Sequence, residues 1–158
     1  MTASKILDRE ALLAAAARVR GTAKRIVFAN GAFDLLHVGH VRYLEGARSE
    51  GDWLAVGINS DRSVSRAKSP TRPILPEAER AEIVAALGAV DAVSIFDEDS
   101  SAALIAAIRP HVHAKGTDDS ADTVPERDVV SAYGGRTTIV GDAKGHATTD
   151  VIAKIRGS

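Results

Sequence analysis

Short apolar, β-branched runs alternate with alanine- and leucine-bearing helical stretches along this chain, and that alternation constrains the fold more than any other feature. Ile26-Val27-Phe28-Ala29, Trp53-Leu54-Ala55-Val56-Gly57-Ile58, Ala92-Val93-Ser94-Ile95-Phe96, His111-Val112-His113-Ala114 and Thr137-Thr138-Ile139-Val140 read as strands. The first helix opens on Asp8-Arg9-Glu10, continues through Ala11-Leu12-Leu13-Ala14-Ala15-Ala16-Ala17 and ends at Gly21. Others are expected over 40–49 with Val41, Leu44 and Ala47 or Arg48 aligned, and over 77–87 with Ile83, Val84 and Leu87 on one face. A helix over 100–109 takes Ser100 or Ser101 as its cap and stops before Pro110. A short one spans 125–132, and 149–155 closes the chain with Val151, Ile152 and Ile155 facing inward. Asn59 to Pro76, with three prolines and no apolar period, is expected to be a long loop. Strands alternating with helices predict an α/β fold, a Rossmann-like three-layer sandwich with a mostly parallel five-stranded sheet.

The 158 residues fit one domain, 1–158, with the helix of 1–21 packed on it. Lys and Arg total 20 against 21 for Asp and Glu, and aromatics make up 4%. That balance argues against nucleic acid as a partner, whose grooves call for a marked basic excess or a stacking platform. With no cysteine, disulfides, thiolate catalysis and Cys-based zinc sites are excluded. Met1 to Glu10 lacks the apolar core of a signal peptide, and Ala11 to Ala17 is too short to span a bilayer. A cytoplasmic protein without membrane partners is expected.

In open parallel sheets ligands bind beyond the carboxyl ends of strands, where strand order reverses. The residues after the first strand are Asn30-Gly31-Ala32-Phe33-Asp34-Leu35-Leu36-His37-Val38-Gly39-His40. Two histidines flank a glycine where a helix begins. A helix start offers unpaired N–H groups and positive dipole character, hence an anion site. Gly39 lets a backbone approach a phosphate with no Cβ in the way. Two imidazoles can donate hydrogen bonds to phosphate oxygens and, if protonated, offset charge that builds in a transition state. The plainer alternative makes His37 a turn cap and His40 a solvated residue of the first turn.

This eleven-residue string resembles the N-G-x-F-D-x-x-H-x-G-H pattern of cytidylyltransferase-like nucleotidyltransferases. Asn59-Ser60-Asp61, then Lys68 and Arg72-Pro73, are similar to the N-S-D and R-P elements of its sugar-phosphate branch. Lys115-Gly116 is similar to the K-G-G-D-Y element, and Gly145-His146-Ala147-Thr148-Thr149 to G-x-S-T-T. The chain most resembles D-glycero-β-D-manno-heptose 1-phosphate adenylyltransferases, free-standing or as the second domain of a bifunctional kinase/adenylyltransferase, over about 6–156. Departures are Thr117 and Asp119 in the lysine loop, Ala147 for the serine, Asp150 for a neutral residue, and no glycine after Lys68.

The resemblance implies transfer of a nucleoside monophosphate from an NTP, ATP favoured, to a phosphorylated small molecule, with pyrophosphate released. His37, His40, Lys68, Arg72 and Lys115 would be catalytic. Asn30, Gly31, Ala32, Phe33, Gly39, Gly116, Asp118, Thr148 and Thr149 would join His37, His40 and Lys115 in binding the nucleotide. Asp34, Asn59, Asp61 and Arg72 would bind the acceptor. Mg²⁺ is expected as a cofactor held mainly by the NTP phosphates and water, with no protein metal site. The resemblance also implies a homodimer.

Each residue has a duller reading. Lys68 and Arg72 suit a solvated loop, Asp34 a turn, and Thr148 or Thr149 a helix cap. His111 and His113 point the same way on a strand without a third ligand, and are read as structural. His146 falls near the site by motif position, and Trp53 reads as core. Two functional alternatives stay open: a cytidylyltransferase acting on glycerol 3-phosphate or another polyol or amino-alcohol phosphate, and a non-catalytic nucleotide-binding module.

Overall fold

The strand runs form a five-stranded, wholly parallel sheet: β1 (Ile26–Gly31), β2 (Trp53–Asn59), β3 (Ala92–Phe96), β4 (Val112–Lys115) and β5 (Arg136–Ile139). A computed structural model describes residues 1–117, 124–143 and 146–157. Both faces of the sheet are covered, which is why its strands read as continuous apolar runs. On one face Val27, Ala29, Leu54, Val56, Ile58, Val93, Val112 and Ala114 pack against α2 (Val38–Arg48) through Leu44 and Ala47. The same layer holds α4 (Glu77–Ala85) through Ala81, Val84 and Ala85. On the other face Ile26, Phe28, Ala55, Ala92 and Phe96 meet α1 (Arg9–Gly21) and α5 (Ala102–Ile108) through Leu12, Ala16, Leu104, Ile105 and Ile108. Val130 of α6 (Arg127–Ala132) closes that layer.

Strand order is β3-β2-β1-β4-β5. The chain runs outward from β1 to β3, then returns to the far side of β1 to lay down β4. The carboxyl ends of β1 and β4 therefore flank the switch point, where a crevice opens.

Local chemistry sets the helix ends. Asp8 caps α1 by accepting from Ala11 N at 2.8 Å. Ser100 Oγ accepts from Ala102 N at 3.0 Å ahead of α5. Several expectations are corrected. The loop expected from Asn59 to Pro76 contains α3 (Asp61–Ala67), capped by Ser60 accepting from Ser63 N. Helix α2 begins at Val38 rather than His40, because His37 is its cap. Ile83 is 40% exposed, since the 81, 84, 85 stripe is the one that faces the sheet. In α7 (Thr148–Arg156) no residue is fully buried and Ile155 is 65% exposed, so this helix lies beside the core rather than over it. Ala147, not a threonine, occupies the cap position of α7. Among the described residues no helix is long and apolar enough to cross a membrane.

Candidate active site

A cleft of about 440 Å³ opens at the switch point. Its walls come from the loop after β1, the first turn of α2, the ends of β4 and β5, and the start of α7. Asn30, Gly31, Ala32, Phe33, Asp34, His37, Gly39, His40, Lys68, Arg72, Gly116, Thr148 and Thr149 all line it. Tyr43, Val140, Gly141, Asp142 and His146 join them.

The two histidines build the helix start reciprocally. His37 Nδ1 accepts from Gly39 N at 3.1 Å, and His40 Nδ1 accepts from His37 N at 3.2 Å. The His37 and Gly39 amides at this helix start are thus spent on imidazole nitrogens. A neutral ring whose Nδ1 accepts must carry its proton on Nε2. Each imidazole therefore has one N–H to offer. His37 Nε2 is buried with no hydrogen-bond partner among the described residues. The rings stack at 3.9 Å between centroids, and His146 lies 6.3 Å from His37. Burial, then the neighbouring His37, pushes His40 down to about 4. Burial, then His146, lowers His37, against a smaller upward pull from Asp150. Both rings are neutral donors at pH 7. A Cβ on Gly39 would sit 2.9 Å from both His146 Cβ and His37 Cε1, so the first turn closes only around glycine.

Asp34 is buried and fully engaged within the protein. Its carboxylate accepts from Ile74 N at 2.7 Å, Leu75 N at 3.0 Å and Arg72 Nε at 3.3 Å. Its carbonyl accepts from Thr148 Oγ1 at 2.6 Å. Phe33 and Leu35 on either side adopt φ of 51° and 47°, a left-handed kink that turns the carboxylate inward. Asp34 thus fastens the 69–76 segment and α7 to the loop that carries the histidines.

Lys68 is exposed on the cleft's lip and Arg72 is half-buried against Asp34. Lys115 does not line the cleft; two residues from His113 on β4, it shares that residue's sheet face. Asn59 and Asp61 are also kept away from the cleft. Asn59 donates to Ser63 Oγ, and Asp61 pairs with Arg80. Asp118, Asp119 and Gly145 lie outside the described residues.

Arg80 had escaped the sequence reading. Its fully buried guanidinium donates to the carbonyls of Ala32 at 2.6 Å, Asn59 at 2.9 Å and Leu75 at 2.9 Å, and to Asp61 at 2.8 Å. One side chain so joins the ends of β1 and β2 to the segment before α4. The signal was an arginine four residues before Val84, within the inward stripe of α4. Tyr43 reaches across to the Ala114 carbonyl at 2.6 Å. Gly141 turns the chain after β5 at φ +97°, with Tyr43 packed against it. No cluster of three or more His, Asp, Glu or Cys suited to a metal occurs among the described residues.

The chain is similar to several known proteins. The chain is 52% identical over 152 residues to the Bifunctional protein HldE of Geotalea uraniireducens, covering 96% of this chain. It is 50% identical over 151 residues to that of Geobacter sulfurreducens, again covering 96% of this chain. It spans about a third of those relatives' length, at 31% and 30%. Among solved structures it is similar to the lipopolysaccharide core biosynthesis protein from Thermoplasma volcanium, with TM-score 0.65 and 25% identity, covering 77% of this chain and 99% of that one. Pantothenate synthetase from Thermus thermophilus shares the fold, with TM-score 0.64 and 15% identity over 90% of this chain and 63% of its own. Residues 28–156, from β1 through the paired histidines to α7, match the Cytidylyltransferase-like family, and the chain belongs to it.

Proposed function

We propose that this chain transfers the nucleoside monophosphate of ATP to D-glycero-β-D-manno-heptose 1-phosphate, releasing pyrophosphate. The observation that carries the reading is the stacked His37–His40 pair, each ring left with one Nε2–H donor at the switch-point cleft of a cytidylyltransferase-like chain. The sugar-phosphate acceptor rests on the likeness of Asn59-Ser60-Asp61 and Arg72-Pro73 to the sugar-phosphate branch and on the similarity to one part of the bifunctional relatives.

The acceptor's phosphate oxygen is already ionised, so its in-line attack on the α-phosphorus needs no general base. What the protein must supply is alignment and compensation for charge on the α- and β-phosphate oxygens. Two neutral N–H donors fixed by their own caps cost no reorganisation when that charge develops. Lys68 and Arg72 add positive charge from the loop side. The donors the cleft offers are imidazoles and cations, and its lining carboxylates are occupied by protein donors, Asp34 by Arg72, Ile74 and Leu75 and Asp142 by Arg42. Such a cleft fits Mg²⁺ arriving on the triphosphate and held by phosphates and water, where it supplies further charge neutralisation. Cytoplasmic location and a homodimer extend the same reading, and sedimentation tests the latter.

Pyrophosphate release is measured with ATP or CTP against heptose 1-phosphate and glycerol 3-phosphate. Turnover with ATP and the heptose phosphate supports the assignment. Turnover only with CTP and glycerol 3-phosphate replaces it, and nucleotide binding with no pyrophosphate from any acceptor reduces the chain to a binding module.

A further inference from the structure

His113 sits in the middle of β4, fully buried, in a position where an aliphatic side chain would pack without polar atoms to satisfy. Its ring lies 6.0 Å from that of Phe28 on the sheet face away from α2. Nε2 is 2.8 Å from Asn30 Oδ1, while Nδ1 is buried with no partner among the described residues. Burial, with Lys115 adding to it, holds this imidazole neutral, down to about 3. A neutral ring must choose where its single proton sits. On Nδ1 it would be a buried donor without an acceptor, and Nε2 would accept only from a flipped amide presenting its Nδ2. On Nε2 it is satisfied by Asn30, and the only deficit is one unpaired acceptor. The second arrangement costs less.

The choice of proton fixes the amide. With Oδ1 accepting from His113, the Asn30 carboxamide is pinned by its oxygen and its Nδ2 donors are left over. Asn30 lines the cleft directly after β1, and its bond to His113 is its sole side-chain hydrogen bond among the described residues. We infer that His113 is a positioning residue: its Nε2–H orients Asn30 so that the Nδ2 group is presented to an acceptor oxygen or nitrogen of the nucleotide. This rests on the reading of the cleft as a nucleotide site. It explains a buried histidine that transfer chemistry does not use, and it separates function from stability. The residue that tunes the site is one whose polar atom is a deficit in the core.

The test uses the full chain and titrates ATP binding by calorimetry alongside pyrophosphate release. His113→Leu should weaken ATP affinity and raise KM by about tenfold, the value of one directed hydrogen bond, with kcat within about twofold of wild type. Its melting temperature should be unchanged or higher, because the unpaired Nδ1 is gone. His113→Gln, whose Nε2 amide can reach the same oxygen, should retain wild-type affinity. In an Asn30→Ala background, His113→Leu should add no further loss. Imidazole ¹⁵N shifts of the wild type should show the proton of His113 on Nε2 at pH 7, a readout that needs neither variant folding nor ligand. Unchanged affinity in His113→Leu, additive losses with Asn30→Ala, or an Nδ1 proton overturns the inference. A wild-type chain that binds no nucleotide overturns the functional reading and this inference with it.

Discussion

Replacing Arg80 with methionine should remove much of the stability of the fold. The guanidinium is fully buried and donates to three carbonyls and one carboxylate. Methionine fills most of the volume and donates nothing. Removing one partner of a buried ion pair costs about 3–5 kcal/mol, largely because the other groups stay desolvated. Here the Asp61 side chain is 44% exposed and recovers water, so the loss belongs at the lower end, about 3 kcal/mol. The carbonyls of Ala32, Asn59 and Leu75 account for most of it. For a chain of this size that is a fall of about 10 °C in Tm. Urea unfolding followed by circular dichroism gives the free energy directly, with an unchanged m-value confirming that both proteins unfold from the same native state. Arg80→Lys keeps the charge but can satisfy fewer of the four acceptors, and should fall between the two. A methionine variant within about 1 kcal/mol of wild type would refute the reasoning, because it would mean the three carbonyls find other donors.

Three further outcomes follow from the cleft. His40→Ala should lower kcat by about a hundredfold or more while shifting Tm by only a few degrees, checked by pyrophosphate release and thermal melting. Gly39→Ala should displace His37 or His146, since its Cβ would lie 2.9 Å from each, and should reduce kcat at least as much as it reduces stability. The depressed histidines also set a pH dependence. In the unfolded chain His40 and His113 take up protons near 6.5, but in the folded protein only at about 4 and about 3. Below pH 6.5 the unfolded state therefore binds more protons, and stability is lost as pH falls from 6.5 toward 4. The slope is up to about 1.4 kcal/mol per pH unit for each imidazole. Urea midpoints at pH 7.5, 6.5 and 5.5 measure it, and a flat profile across that window would contradict the burial of these rings.

The layered α/β plan was legible because each strand is a short apolar run and most helices carry an alanine or leucine stripe. Helix α3 was not, because it is held by the Ser60 cap and by Ser60 donating to Asp97 at 2.5 Å rather than by an apolar period. Ile83 and Ile155 misled for the opposite reason: hydrophobic identity says nothing about which of two adjacent stripes meets the sheet. At the site, the loop from Asn30 to His40 announced itself through its residue types and spacing. Which of those residues remained available was hidden, since availability depends on partners distant in sequence. Asp34 is consumed by Arg72, Ile74 and Leu75, and Asp61 by Arg80. Lys115 ends β4, one residue before the chain enters the cleft at Gly116. The Asn30–His113 pair needed the parallel register of β1 on β4 to be known.

The reciprocal capping of His37 and His40 has a consequence for contaminating metals. His37 and His40 stack, with the His146 ring 6.3 Å from that of His37, and a pair of neighbouring imidazoles can still bind a stray metal ion weakly. In this cleft the Nδ1 lone pairs of His37 and His40 are turned onto backbone amides and their Nε2 atoms carry protons. A metal at Nε2 would have to drive the proton to Nδ1 and open the first turn of α2. The first turn of α2 thus holds both rings as Nε2–H donors and keeps their Nδ1 lone pairs from any metal.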